Sequence, residues 1–208
     1  MSNKVSILNP YTIQIMTHLA DSQWSIPLLK WPSKFDTILD IGAYCGNVSA
    51  LARILNPRAE IVAIEPNPLV YPLLCDNLNG LNITTHMLAL GNGTTGKMSS
   101  NSKDIGNTFI PGDECESMTL GNMIKLTKFT NGKKLLIKLN CEGGELSIWN
   151  DEASVKVMSQ ASVVIIECHG ITNIHRFRKF AKRLNVQPIE LKTRHPRHQD
   201  YYFTKFKC

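Results

Sequence analysis

The chain has 208 residues, 43 % of them hydrophobic and 19 % charged, with a formal net charge of +6 at pH 7. That length suits one domain and that composition a well-filled core, which excludes disordered and fibrous classes. The six cysteines (45, 75, 115, 141, 168 and 208) form no C-x-x-C pair, so neither a zinc ribbon nor a redox motif is expected. The N-terminus, M-S-N-K-V-S-I-L-N-P, lacks the order of a signal peptide, and no apolar run approaches the ~20 residues of a membrane span. The expectation is a soluble, cytoplasmic protein with reduced thiols.

In chain order, strand-like and helix-like segments alternate. Thr37–Ile41 is a short apolar run before a glycine-rich loop, and Asn47–Leu55 follows with Val48, Leu51 and Leu55 at helical spacing. Glu60–Ile64 reads as a second strand. Asn67-Pro68 reads as the start of a helix that Pro72 should distort, and Thr84–Ala89 as a third strand. Residues 91–119 read as loops and small hairpins, and Leu120–Thr127 as a short helix. Leu135–Leu139 and Ser162–Glu167 are strongly apolar strands flanking a broken helix at Glu145–Trp149 and Val155–Met158. Ile174, Phe177, Ala181 and Leu184 mark one face of a helix, and Pro188–Leu191 with Tyr201–Phe206 suggest a terminal hairpin. Repeated βα units predict an α/β fold: a mostly parallel seven-stranded sheet, helices on both faces, and an antiparallel final strand. Ligands of such sheets bind at the carboxyl ends of the strands.

Four groups of residues sit at those ends. Asp40-Ile41-Gly42-Ala43-Tyr44-Cys45-Gly46 joins the first strand to its helix, where glycines allow close backbone approach to a ligand. Glu65 ends the next strand, 19 residues beyond Gly46, where an acid can accept both hydroxyls of a ribose. A dinucleotide would want a middle glycine where Tyr44 stands, whereas the cationic sulfonium of S-adenosylmethionine suits an acid such as Asp40. The third group is I-K-L-N-C-E-G-G-E at 137–145, with Lys138 inside an apolar strand, serving either a structural ion pair or the reaction. The fourth is I-E-C-H at 166–169, with Glu167 and His169 on one face of a strand.

Together with E-P-N-P at 65–68, L-A-L-G at 88–91 and S-M-T-L at 117–120, these motifs resemble the FkbM family of S-adenosylmethionine-dependent O-methyltransferases. The resemblance runs from about Thr37 to Gly170. It implies a class I, Rossmann-like methyltransferase fold: one methyltransferase domain over 1–208, with an N-terminal helical segment at 1–35 and the core at 36–208. It also implies a sugar or polyketide-linked hydroxyl as acceptor. The residues expected to hold the cofactor are Asp40, Gly42, Ala43, Tyr44, Gly46, Asn47, Glu65, Pro66, Asn67 and, near the adenine, Ala89. Lys138, Asn140 and Glu142 are expected to orient the acceptor hydroxyl. His169, as a neutral imidazole, is expected to take its proton, with Glu142 next in line and Glu167 orienting. Asn140 departs from the family's usual Asp, which weakens any case for a divalent metal.

The positive charge gathers late: Arg176, Arg178, Lys179, Lys182, Arg183, Lys192, Arg194 and Arg197. It is either a solvated helix face and loop or a surface for an anionic partner. The rival readings are an RNA ribose 2′-O-methyltransferase and a module that binds the cofactor without chemistry.

Overall fold

A computed structural model describes residues 30, 34–98, 109–111, 115–191 and 198–204. The expected helical segment at 1–35 therefore lies almost wholly outside the described residues, as do Lys192, Arg194 and Arg197. The chain opens with β1 (Thr37–Ile41), α1 (Asn47–Leu55), β2 (Glu60–Ile64), α2 (Tyr71–Leu78) and β3 (Thr84–His86). Four short strands follow: β4 (Leu88–Leu90), β5 (Thr95–Met98), β6 (Phe109–Pro111) and β7 (Cys115–Met118). Then come α3 (Leu120–Met123), β8 (Leu135–Leu139), α4 (Glu152–Gln160), β9 (Val163–His169), α5 (Ile171–Arg183), β10 (Ile189–Leu191) and β11 (His198–Thr204).

The main sheet has seven strands in the order β10-β11-β9-β8-β1-β2-β3. β9, β8, β1, β2 and β3 pair in parallel, and β11 runs antiparallel to both β9 and β10. Strand order reverses between β1 and β8. The crevice beyond their carboxyl ends is where a ligand of this architecture sits.

Both sheet faces are covered, because the central strands are apolar on both sides. One face sends Leu39, Ile41, Ile137, Leu139, Val164 and Ile166 against the α3, α4 and α5 helices. The other sends Ile38, Ile61, Leu136 and Ile165 against Val48, Leu51 and Ala52 of α1. On α5 the apolar stripe is Phe177, Phe180 and Ala181. Phe177 lies 5.3 Å from the Tyr201 ring and 6.2 Å from Phe203, clamping the antiparallel strand β11 to the helix.

Local chemistry explains where the elements depart from expectation. The helix expected from Asn67 begins at Tyr71, because the Asn67 side chain accepts from the Leu69 N–H at 2.9 Å and closes a turn instead. Pro72 then falls in the first turn and distorts nothing. The third expected strand divides at Met87. Its second half, β4, joins a separate sheet of order β4-β7-β5-β6, which gathers the polar 91–119 stretch. Glu145–Trp149 lies in a 3₁₀ turn, Gly144–Asn150, that a capped helix α4 follows. β9 continues to His169, because β11 pairs with it along its full length. Among the described residues, no helix is long and apolar enough to cross a membrane.

Phe177 is fully buried at the junction of α5 with β11. Phe177→Ala is expected to lower unfolding free energy by about 3–5 kcal/mol in urea titration, the cost of an aromatic-sized cavity.

Candidate functional site

The glycine loop is held from behind by a buried ion pair. Asp40 and Lys138 are register partners on β1 and β8, and their side chains lie on the same side of the sheet. The Lys138 ammonium stands 3.0 Å from Asp40 Oδ1, and Asp40 Oδ2 accepts from the Ser49 hydroxyl at 2.7 Å. Lys138 also donates to the Gly42 carbonyl at the start of the loop. A Cβ on Gly42 would lie 1.7 Å from the Asn140 carbonyl oxygen, so this glycine is required by the β8 loop pressing against it. Gly42, Tyr44 and Gly46 all have positive φ (74°, 52° and 88°), which turns the loop back over the strand ends.

Glu65 stands at the end of β2 facing this loop. Its Oε2 accepts from the Tyr44 N–H at 2.8 Å and its Oε1 from the Asn67 N–H at 3.0 Å. Burial pushes its carboxyl upward, and these two backbone donors with Lys138 pull against that shift. Each oxygen keeps a further lone pair for a ligand hydroxyl. Ala89, on β4, lies beside Cys115, whose thiol burial raises to about 11 with the charge of Glu65 adding to the shift.

Across the crevice, three carboxylates surround one imidazole. His169 Nε2 lies 3.2 Å from Glu142 Oε2 and 3.7 Å from Glu167 Oε1, while Nδ1 lies 3.3 Å from Glu145 Oε1. Burial alone would lower the imidazole's pKa, but the bonds to Glu142 and Glu145 outweigh it and raise the value to about 10. His169 is therefore an imidazolium at neutral pH. Glu142 and Glu167 keep 26 % and 17 % of their side-chain surface exposed and face the crevice mouth. Asn140 Oδ1 is buried without a hydrogen-bond partner, an acceptor ready for a hydroxyl or ammonium.

The geometry bears on several sequence-derived roles. The neighbouring acids favour the protonated form of His169. The Lys138 ammonium meets Asp40 and the Gly42 carbonyl. Asp40 is wholly buried in that pair. Ala43 packs with Ala50, Ala63, Leu74 and Leu78 beneath the loop, and Asn47 accepts from the Cys45 thiol at 3.4 Å. Gly42, Tyr44, Gly46, Glu65, Pro66 and Asn67 gather at one side of the crevice. Asn140, Glu142, Glu167 and His169 gather at the other. Among the described residues, no group of His, Cys, Asp and Glu is arranged to hold a metal ion. The reading missed Glu145, Asn173 and Trp149. Asn173 had a signal: it precedes Phe177 by four residues, so it is a polar side chain on the buried stripe of α5.

Two measurements test this electrostatic frame. Lys138→Met should cost about 3–5 kcal/mol in urea unfolding, since it strands a buried carboxylate, while the double variant Asp40→Leu/Lys138→Met should recover most of that loss. For His169 the folded pKa lies above the unfolded value of about 6.5. Its stabilisation is thus complete below pH ~6.5 and lost as pH rises through about 10. The stability difference between wild type and His169→Gln should shrink steadily over that window.

The Methyltransferase FkbM domain profile matches residues 40–187. No curated protein matches the sequence at a significant level. Among solved structures, the chain resembles a methyltransferase FkbM of Methylobacillus flagellatus KT, with 16 % identity and a TM-score of 0.53. That match covers 93 % of this chain and 59 % of the other. It also resembles a chain of Clostridium thermocellum provisionally named an rRNA methylase, at 15 % identity and TM-score 0.54, covering 88 % of this chain and 94 % of that one. A third likeness is to the fibrillarin of Aeropyrum pernix, solved with natively bound S-adenosyl-L-methionine, at 14 % identity and TM-score 0.50, covering 84 % and 69 %. These likenesses are of fold, whereas the profile spans the glycine loop, Glu65, the 137–145 segment and His169: the chain belongs to the FkbM methyltransferase family, within the S-adenosylmethionine-dependent methyltransferases.

Proposed function

We propose that this chain is a single methyltransferase domain that transfers a methyl group from S-adenosylmethionine to a hydroxyl oxygen of a neutral sugar or glycan in the cytoplasm. The observation that carries the reading is the pair of half-buried carboxylates, Glu142 and Glu167, beside an imidazolium. Carboxylates accept hydrogen bonds from hydroxyls and repel phosphates.

The residues present fit the cofactor. Glu65 offers free lone pairs to vicinal ribose hydroxyls, Tyr44 and Asn67 fix its orientation, and the net negative crevice suits a cation. When bound, S-adenosylmethionine supplies an electrophilic methyl on sulfur and leaves as S-adenosylhomocysteine. Asn140 Oδ1 and Glu167 would orient the acceptor hydroxyl, and Glu142 would take the proton that the hydroxyl gives up. A carboxylate is base enough for that task when it is held in place.

A second reading, methylation of an RNA ribose, has one observation in its favour. α5 carries Arg176, Arg178, Lys179, Lys182 and Arg183 with no acidic residue on the helix. That face suits an anionic partner. Incubation with methyl-labelled cofactor and, separately, neutral monosaccharides or capped RNA decides between them. Label is expected in the sugar. Label in RNA alone would establish the second reading. Cofactor binding with no transfer to either would leave a binding module. In calorimetry, Glu65→Ala should weaken cofactor binding roughly 10- to 150-fold, because a charged acceptor is lost. Unchanged affinity with the fold intact removes Glu65 from the assignment.

A further inference from the structure

One wholly buried carboxylate beside the crevice is not used by the methyl-transfer scheme. Glu145 has no exposed surface, yet four donors converge on it. Its Oε1 accepts from the Cys141 N–H at 2.7 Å and stands 3.3 Å from His169 Nδ1. Its Oε2 accepts from the Gly143 N–H at 3.0 Å and from the Asn173 side-chain amide at 3.1 Å. A buried carboxylate persists only with partners of this kind. Asn173 is itself buried and in turn accepts from the Trp149 indole at 2.7 Å.

Cys141 and Gly143 flank Glu142. That residue holds a φ of +50°, a region L-residues seldom occupy, and Gly143 follows at +102°. Glu145 thus captures the N–H on each side of Glu142 and bends the chain around it. The same carboxylate orients His169, whose opposite nitrogen meets the Glu142 carboxylate at 3.2 Å. Glu142 is gripped at its backbone and at its head, both times through Glu145.

We propose that Glu145 is a positioning residue: it acts through the Cys141–Gly143 turn and through His169 to hold Glu142 where it receives the acceptor's proton. This rests on the reading of Glu142 as that base. The groups facing His169 are Glu142 and Glu145 from the turn after β8, Glu167 from β9, and Asn173 from α5. β11 places His198 and Asp200 opposite His169 and Glu167 in register.

The test combines turnover with a readout independent of it. Glu145→Gln keeps the shape and loses the charge. With labelled cofactor and the monosaccharide mixture, kcat should fall about 10- to 100-fold, the effect of a base displaced by about an ångström, while cofactor affinity stays within about twofold. In NMR, the His169 ring of the wild type should hold its proton until pH nears about 10. In Glu145→Gln its midpoint should drop by about a unit or more, with His169→Gln identifying the resonance. Glu145→Asp, one methylene shorter, should show the same two changes more weakly, and it carries the test if Glu145→Gln does not fold. Normal turnover in either folded variant overturns the proposal, and so does reduced turnover with an unmoved His169 titration. Glu142→Gln separates the two readings. If that variant turns over normally, the base assignment falls, while the His169 titration still reports whether Glu145 governs the imidazole.

Discussion

Everything at the crevice hangs from the ion pair between Asp40 and Lys138. Two opposite charges face each other across neighbouring central strands at the point where strand order reverses. Neither charge would survive burial alone. Their attraction ties β1 to β8, and a further ammonium bond, to the Gly42 carbonyl, ties the glycine loop to both. With the loop fixed, the Tyr44 N–H is aimed at Glu65, and the cofactor side of the crevice takes shape around that carboxylate.

The opposite wall obeys a different electrostatic logic. Three carboxylates within 3.7 Å of one ring would repel one another severely if the ring were neutral. An imidazolium between them offsets that repulsion. Its value there is as a fixed positive charge that organises acids. The Glu142 backbone belongs to the same frame, since a residue held in the left-handed region marks strain that the surrounding bonds must maintain.

The wide polar stretch after β3 shows how local composition and long-range pairing divide the work. Residues 91–119 read as loops and small hairpins because glycine, serine and asparagine disfavour strands. The structure pairs β7, near the end of that region, in parallel with β4, which precedes it, a decision taken by partners far apart in sequence. β9 is similar. Its last two residues lie beyond the apolar run, and β11, returning from the far end of the chain, supplies the hydrogen bonds that keep His169 in the strand.

By itself, the sequence determined the sheet, its helices and the ends where chemistry collects. Periodicity, glycines and strand-end acids are local signals, and the motif order from Asp40 to His169 carries the family. Only the tertiary structure decided what each charged residue does there. Lys138 could have faced a substrate or a partner, and the register opposite Asp40 chose the partner. His169 looks like a base in one dimension; three carboxylates, two from the turn after β8 and one from β9, make it a cation. Glu145 has no assigned role in the linear sequence, where it opens a broken helix; folding closes the Cys141 and Gly143 N–H groups, His169 and Asn173 around it. The reason is general. The protonation and orientation of a side chain depend on charges within a few ångströms, and in this fold those charges come from residues that the sequence sets well apart.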